Sequence, residues 1–344
     1  MRCLTGRGLQ TCVNVVKAIV INEFGAPEVF RAAEVEMHMP GEGEVLIRVE
    51  ASSVNPVDTK IRSGVLEAIA PPFPAILHGD VAGVVESVGF GVTGLAPGDT
   101  VYACPGGFKG LPGSLAEFVL ADAALVAHRP ANLTARAAGV LPLAGITAWD
   151  ALHDRGQVAS GMRVLVHAGC GGVGHLGVQL AKAAGAEVTT TVSTPVKAEL
   201  ARELGADHVV LYPEQSVEDY VQAYTGGEGF DLVFDTVGDT NLQQSFAAMR
   251  LQGRVVSIAA RSEQDLTALH TRAGTLSVTF MLLPLITGQG RARHGEILRE
   301  LTDLVEVGKV RPLLDQSAFS MEEVAQAHTK LESGRAVGKI SLAW

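Results

Sequence analysis

A glycine-rich turn between a strand and a helix constrains the fold of this chain more than any other feature. The turn reads AGCGGVG over residues 168–174, after the apolar strand Arg163–His167 and at the start of a helix predicted over Gly172–Ala184. A glycine at 169 permits a tight turn, glycines at 171 and 172 let the backbone approach a pyrophosphate, and Gly174 lets the helix pack close to the strand. The helix N-terminus supplies unpaired N–H groups and a partial positive charge. We predict a dinucleotide site, with a merely tight βα turn as the alternative. Its residues in this turn are Gly169, Gly171, Gly172, Val173 and Gly174.

Two different patterns of predicted secondary structure flank this motif, and together they predict an α/β protein. After it, strands and helices alternate, with strands predicted over Glu187–Val192, Phe230–Thr236 and Gly253–Ala260; this is the pattern of a parallel, doubly wound sheet. Before it, from Lys17 to about residue 130, short strands separated by Gly and Pro predict a barrel-like β domain. The change to helix comes at Thr134, which we predict to be an N-cap.

Composition excludes several classes of function. A chain of 344 residues exceeds the usual size of a single core, so we expect two domains. The net charge of -10 argues against an electrostatic nucleic-acid binder, and no apolar run approaches the roughly 20 residues of a membrane helix. The four cysteines form no CxxC pair, which argues against a disulfide framework or a structural zinc lobe. We therefore predict a protein of the reducing cytoplasm.

Residues 1–15 do not match the patterned sequence that begins after them. They hold no apolar segment of signal-peptide length, and a patterned strand begins directly afterwards at Lys17. We interpret 1–15 as a non-native or disordered extension, with Val16 as the alternative start; a native arm is the other interpretation.

The residues after the second strand of the alternating region indicate the cofactor. NAD sites usually carry an acidic residue about 20 positions past the glycine motif, where it binds the ribose 2′-hydroxyl. Here that position is Ser193, Lys197 follows it, and the first carboxylate is Glu199. Hydroxyls and a cation are suited to a 2′-phosphate, so the sequence favours NADPH. The alternative is that Lys197 is only a solvated surface charge.

The motifs together resemble the zinc-independent quinone oxidoreductase (zeta-crystallin-like) branch of the medium-chain dehydrogenase/reductase superfamily. The resemblance covers essentially all of residues 17–342. Besides the glycine-rich turn, its carriers are Ser53–Asp58, Gly79–Val85, Leu143–Trp149, Phe234–Gly238 and Gly338–Ile340.

This resemblance implies a discontinuous GroES-like catalytic domain over 16–142 and 282–344, and an NADP-binding Rossmann domain over 143–281. It implies that Asn55 approaches the nicotinamide ribose or the substrate, and that Thr147 lies at the nicotinamide end. The 2′-phosphate would be surrounded by Ser193, Lys197 and Tyr212. Val237, Ala259 and Phe280 would line the cofactor, and Lys339 would reach it from the last strand. Relatives often dimerise through a final sheet strand, here Thr275–Phe280, whose alternation fits an edge that needs covering.

Two departures from the family pattern bear on catalysis. Lys60 stands where relatives often have a tyrosine, and it is either a catalytic cation for developing enolate charge or a solvated lysine. His78 matches one zinc ligand of the alcohol dehydrogenases, but Asn55 and Asp80 stand where that branch has Cys and Glu. Cys104 is at the wrong position to serve as the remaining thiolate ligand. One histidine and an amide make a poor zinc site, so we predict no metal and interpret His78 as a cleft or packing residue.

The predicted function is therefore NADPH-dependent reduction of a small quinone or an α,β-unsaturated carbonyl. The alternatives are an enoyl-thioester reductase, a zinc-dependent alcohol dehydrogenase and a non-catalytic NADPH-binding protein. A fold alone does not decide among them. We expect a homodimer without nucleic-acid or membrane partners.

Overall fold

The structure is a computed structural model that describes residues 15–344 and the backbone of Arg2–Cys3 and Cys12–Val13. The chain divides into two compact units. The first holds Met1–Leu143, Leu282–Asp303 and Leu314–Trp344, and the second holds Ala144–Met281 and Leu304–Leu313. The second unit thus includes residues 304–313, which the sequence analysis placed in the catalytic domain.

The predicted N-terminal extension needs one correction. Val15 pairs with Glu36 in an antiparallel ladder, so the patterned strand begins at Val15 and includes the last residue of the predicted extension. The remainder of that prediction falls mainly on residues outside the described part of the chain.

The N-terminal part of the first unit consists of strands and short helices. Its strands are β1 (Arg2–Cys3), β2 (Cys12–Val13), β3 (Val15–Val20), β4 (Arg31–Glu36), β5 (Glu44–Val54), β6 (Val81–Val88), β7 (Thr100–Ala103), β8 (Phe118–Asp122) and β9 (Val126–His128). Its α-helices are α1 (Pro56–Arg62) and α2 (Ala135–Ala138), and 3-10 turns cover Pro27–Val29, Glu67–Ile69 and Ala123–Leu125. The hydroxyl of Thr134 accepts a hydrogen bond from the N–H of Ala137 at 3.3 Å, which confirms the predicted N-cap.

The central segment alternates strands and helices. Its helices are α3 (Pro142–Trp149), continued by a π-helical stretch over Asp150–Arg155, then α4 (Gly174–Ala183), α5 (Pro195–Glu203), α6 (Val217–Thr225), α7 (Asn241–Ala248), α8 (Thr267–Thr271) and α9 (Leu283–Thr287). Its strands are β10 (Arg163–Val166), β11 (Glu187–Val192), β12 (His208–Leu211), β13 (Phe230–Asp235), β14 (Met249–Ser257) and β15 (Thr275–Val278).

The C-terminal segment consists of α10 (Ala292–Glu306), β16 (Leu314–Ser320), a 3-10 turn over Met321–Glu323, α11 (Val324–Glu332) and β17 (Lys339–Ala343). Across the described residues, no helix combines the length and the apolar composition needed to cross a membrane.

The second unit is built on a parallel sheet in the order β12-β11-β10-β13-β14-β15. The strand order reverses between β10 and β13, and in such sheets ligands bind at the carboxyl ends of the strands at this switch point. The core beneath it includes the fully buried Leu165, Phe230 and Phe246. The predicted Rossmann-like, doubly wound fold is confirmed.

The first unit is built on a mainly antiparallel sheet in the order β16-β17-β5-β6-β7-β9, with β8 also paired to β5. Strand β17 runs antiparallel to β5, and Ile340 lies opposite Val54. This register brings the start of the last strand beside the residues that come directly after β5. The sheet therefore juxtaposes Lys339 and Asn55, which lie far apart in the chain.

Candidate active site

The glycine-rich turn joins β10 to α4 in a conformation that leaves no room for a side chain at Gly169 or Gly174. Ala168 has a positive φ of 53°. A Cβ on Gly169 would lie 2.1 Å from Oγ1 of Thr190, and one on Gly174 would lie 2.1 Å from the carbonyl oxygen of Ala168. Glycine is therefore required at both positions by contacts shorter than any real Cβ makes.

The turn leaves backbone donors at the N-terminus of α4. The N–H groups of Gly172, Val173 and Gly174 have no acceptor among the described residues. Unpaired N–H groups at a helix N-terminus attract anions. These backbone groups thus fit the pyrophosphate of a dinucleotide.

Close packing of α4 on the sheet depends on a glycine that the sequence analysis did not single out. A Cβ on Gly177 would lie 2.9 Å from the ring of Phe234 and 3.2 Å from Val166. A Cβ on Gly174 would lie 2.1 Å from the carbonyl oxygen of Ala168 and 3.1 Å from that of His167, the last residue of the predicted strand. Gly177 therefore adds to the close helix–strand approach that the sequence analysis assigned to Gly174.

The structure brings Ser193 and Lys197 together after β11. The Lys197 ammonium lies 3.3 Å from the hydroxyl of Ser193. Thr194 caps α5 by accepting a hydrogen bond from the N–H of Lys197. Tyr212 comes after the neighbouring strand, where its N–H bonds to the carbonyl of Val192 at 3.2 Å and its side chain is 55% exposed. A hydroxyl and a cation thus stand at the end of the second strand, as a 2′-phosphate would require.

The other predicted cofactor-lining residues lie just beyond the ends of later strands. Val237 comes after β13, Ala259 after β14 and Phe280 after β15, and none of them is buried. A Cβ on Gly238 would lie 2.3 Å from the carbonyl oxygen of Ala259, so the loops after β13 and β14 are in contact. The guanidinium of Arg261 lies 5.8 Å from the centre of the Phe280 ring.

In the first unit, the buried carboxylate of Asp80 is the centre of a polar cluster. Its Oδ2 accepts hydrogen bonds from the hydroxyl of Ser53 at 2.5 Å and from the amide nitrogen of Asn55 at 2.8 Å. Its Oδ1 accepts the N–H of Leu143 at 2.7 Å. A buried charge needs such partners, and Asp80 has them on both oxygens.

Lys339 completes this cluster. Its ammonium contacts Oδ1 of Asn55, lies 3.5 Å from Oδ2 of Asp80, and is only 4% exposed. Because the Asn55 amide donates to Asp80 and accepts from Lys339, its orientation is fixed at both ends. The structure thus brings together two residues that the sequence analysis assigned to the site.

Asp58 lies beside this cluster, and its carboxyl group has a raised pKa. Its Oδ2 accepts the N–H of Asn55 at 2.7 Å, while its Oδ1 is buried without a partner in the described chain. Burial raises the pKa of Asp58 to about 7, with nearby Asp80 also raising it and Lys339 lowering it. This carboxyl group therefore titrates near neutral pH.

His78 forms a buried pair with His328 of α11. Their Nε2 atoms lie 2.9 Å apart, and the Nδ1 atom of each ring has no partner among the described residues. Burial lowers the pKa of His78 to about 3 and that of His328 well below its ordinary value. Both rings are neutral at physiological pH, one donating and the other accepting.

Comparisons with known proteins agree with this architecture. Residues 41–131 match the alcohol dehydrogenase GroES-like domain, and residues 204–342 match the family described as zinc-binding dehydrogenase. The chain is 36% identical to 2-methylene-furan-3-one reductase of Solanum lycopersicum, over 94% of this chain and 78% of that protein. It is 30% identical to quinone oxidoreductase of Homo sapiens, over 97% of this chain and 99% of that protein. A mycobacterial structure complexed with NADPH superimposes with a TM-score of 0.83 at 33% identity, covering 96% of this chain and 100% of that one.

The chain belongs to the medium-chain dehydrogenase/reductase superfamily. It is an NAD(P)H-dependent oxidoreductase of that superfamily, with quinone and enone reductases among its relatives. The resemblance to the quinone oxidoreductases of this superfamily, stated from sequence motifs, is confirmed.

The positions that bind catalytic zinc in other members of the superfamily do not fit a metal here. The amide of Asn55 is held between Asp80 and Lys339, and Nε2 of His78 is bonded to His328. The Lys339 ammonium already places a positive charge beside Asp80. Within the described residues, no group of three or more His, Cys, Asp or Glu side chains is arranged to hold a metal ion.

The remaining two predicted catalytic residues lie outside the Asp80 cluster. Lys60 is on the exposed face of α1, and Thr147 is buried on α3 in the second unit. Their catalytic roles stay predictions.

Sequence reasoning missed Asp58 and His328 as members of the site. Asp58 had a signal, since an Asn with an Asp three residues later is a capping-box spacing that places the carboxylate on the Asn N–H. His328 lies within a helix 250 residues from its partner, and no local pattern points to it.

Proposed function

We propose that this oxidoreductase uses NADPH to reduce the activated C=C of an α,β-unsaturated carbonyl, or a quinone, without zinc. The observation that carries the proposal is that the Lys339 ammonium contacts Asn55 and Asp80, which by the family resemblance stand where the zinc-dependent branch has Cys and Glu. The cluster satisfies its own charges, so alcohol oxidation would lack a Lewis acid to stabilise the alkoxide. Conjugate reduction needs only hydrogen-bond donors for the carbonyl oxygen.

NADPH is the proposed cofactor because Ser193 and Lys197 lie 3.3 Å apart at the end of β11, where an NAD site has a carboxylate. The NADPH-bound relative supports this choice. When bound, NADPH supplies the hydride. The N–H groups of Gly172, Val173 and Gly174 would hold its pyrophosphate, and Tyr212 would add a hydroxyl near the 2′-phosphate.

The chain's own residues would orient the reacting groups. Asn55 would face the nicotinamide ribose or substrate with its amide held by Asp80 and Lys339. Thr147 would contact the nicotinamide end, and Val237, Ala259 and Phe280 would line the bound cofactor. Lys60 would stabilise negative charge on the substrate oxygen; unchanged kcat/KM in a Lys60→Met variant would remove it from the mechanism.

A panel of substrates tests the function. NADPH oxidation is monitored with a quinone, an enone, an enoyl-CoA and, in reverse with NADP, a simple alcohol. We expect turnover with the quinone or the enone. A preference for the enoyl-CoA would favour the enoyl-thioester reductase, and metal-dependent alcohol turnover would favour the alcohol dehydrogenase. No turnover with tight NADPH binding would favour a non-catalytic role.

We also propose a homodimer joined through β15. This strand ends the order of the parallel sheet, and Val278 on it is 44% exposed. Open sheet edges favour pairing with another chain. Sedimentation at micromolar concentration should give twice the mass of the chain, and Val278→Lys should reduce it to the monomer mass.

A further inference from the structure

The thiol of Cys170 connects the two halves of the proposed cofactor site. Cys170 lies within the glycine-rich turn with 5% of its surface exposed, and its Sγ lies 3.2 Å from the carbonyl oxygen of Lys197. Burial raises the pKa of this thiol to about 11, although the Lys197 charge lowers it. The sulfur therefore keeps its proton at neutral pH and can donate this hydrogen bond.

Two hydrogen bonds hold the backbone of Lys197. Its N–H donates to the N-cap hydroxyl of Thr194 at 3.3 Å. Its carbonyl oxygen accepts a hydrogen bond from the Cys170 thiol. The backbone from which the Lys197 side chain extends is thus attached both to its own helix cap and to the glycine-rich turn.

We propose that Cys170 is a positioning residue for cofactor specificity. It sets the spacing between the N–H groups of the turn and the Lys197 ammonium, and this inference rests on the proposed use of NADPH. The pyrophosphate and the 2′-phosphate belong to one ligand, so both can be bound well only if the two subsites keep a matching separation. The affinity of a ligand without the 2′-phosphate does not depend on that separation.

Calorimetry on the full chain with two cofactor fragments tests this proposal. ADP-ribose and 2′-phospho-ADP-ribose both carry the pyrophosphate and differ only in the 2′-phosphate. They are titrated into the unmodified protein and into Cys170→Ala, Cys170→Ser, Lys197→Ala and the double variant Cys170→Ala/Lys197→Ala. Cys170→Ser keeps a donor at the same position, and the Tm of each variant verifies folding.

We expect Cys170→Ala to weaken 2′-phospho-ADP-ribose by about two- to tenfold, the range for one hydrogen bond, and to leave ADP-ribose unchanged. Cys170→Ser should recover the loss. In the Lys197→Ala background, Cys170→Ala should cause no further loss, because the group that it positions is gone.

Three results would overturn the inference. Equal weakening of both fragments would mean that Cys170 only shapes the turn, and no weakening of either would mean that the thiol bond is irrelevant to binding. If the unmodified protein did not distinguish the two fragments, the NADPH preference itself would fail and the inference with it. That failure is separate from the other two because it is visible before any substitution is made.

Discussion

The Nε2 atoms of His78 and His328 lie 2.9 Å apart in a buried pair. The backbone of His78 has a positive φ of 72°, an uncommon conformation for a side chain larger than glycine. Burial keeps both rings neutral, since it lowers both pKa values. A histidine that in related enzymes ligates a metal is here used to contact another histidine.

Metal analysis should therefore find well under one zinc per chain in the purified protein. A zinc ion at His78 would have to displace His328, and it would meet the Lys339 ammonium near Asp80. We also expect a chelator to leave activity unchanged. Stoichiometric zinc together with chelator-sensitive activity would contradict the zinc-free proposal and revive the alcohol dehydrogenase.

Replacing Lys197 with Glu should weaken NADPH binding by at least tenfold and change NADH binding little. A hydrogen bond to a charged group contributes about 1.5–3 kcal/mol, or roughly 10- to 150-fold in affinity. Both dissociation constants are measured by fluorescence titration. Lys309→Glu is the matched control, because Lys309 is an exposed lysine of the same unit outside the predicted site. Loss of both cofactors in Lys197→Glu would instead indicate a structural role.

Local patterns predicted the alternating region well. They failed where a glycine could indicate either the end of a strand or a bulge within it. The strand Glu187–Val192 has the predicted bounds. Gly253 was interpreted as the start of a strand, yet β14 begins at Met249 and Gly253 lies inside it. A Cβ there would lie 2.5 Å from the Met249 side chain, next to a register shift between β13 and β14. A glycine at a bulge and a glycine at a strand end look alike in a sequence.

The candidate site was predictable only as separate motifs. Asn55 and Lys339 could each be assigned by resemblance, but their contact depends on the antiparallel register of β17 against β5. Burial determines the protonation state of Asp58 and the contact of His328 with His78. The residues adjacent in sequence do not show whether a polar residue is buried. Tertiary packing therefore supplied what local spacing could not.

Gly177→Ala should destabilise the protein by about 1–3 kcal/mol, as overpacking does. The added methyl group would lie 2.9 Å from the Phe234 ring. Phe234→Leu removes that obstacle, so the double variant should be more stable than the sum of the two single effects by roughly 1 kcal/mol. Urea unfolding of all four proteins measures this. If the changes in the free energy of unfolding were strictly additive, the contact with Phe234 would not be the cause of the destabilisation by Gly177→Ala.

Asp58→Asn should change how stability depends on pH. In the folded protein burial raises the pKa of Asp58 from 3.8 to about 7, so between these values the folded state holds a proton that the unfolded state has lost. Stability from this group is therefore full below about pH 4 and decreases as the pH rises to about 7, by roughly 4 kcal/mol in total. An asparagine cannot ionise and still accepts the N–H of Asn55.

The measurement is the Tm of Asp58→Asn minus that of the unmodified protein, at intervals from pH 5 to pH 8. Because other groups titrate in both proteins, the difference isolates Asp58, which is surrounded by the charges of Asp80 and Lys339. We expect this difference to increase steadily with pH and to level off above about pH 7. A difference that stayed constant would show that Asp58 is ionised throughout this range and that its buried Oδ1 has found a partner.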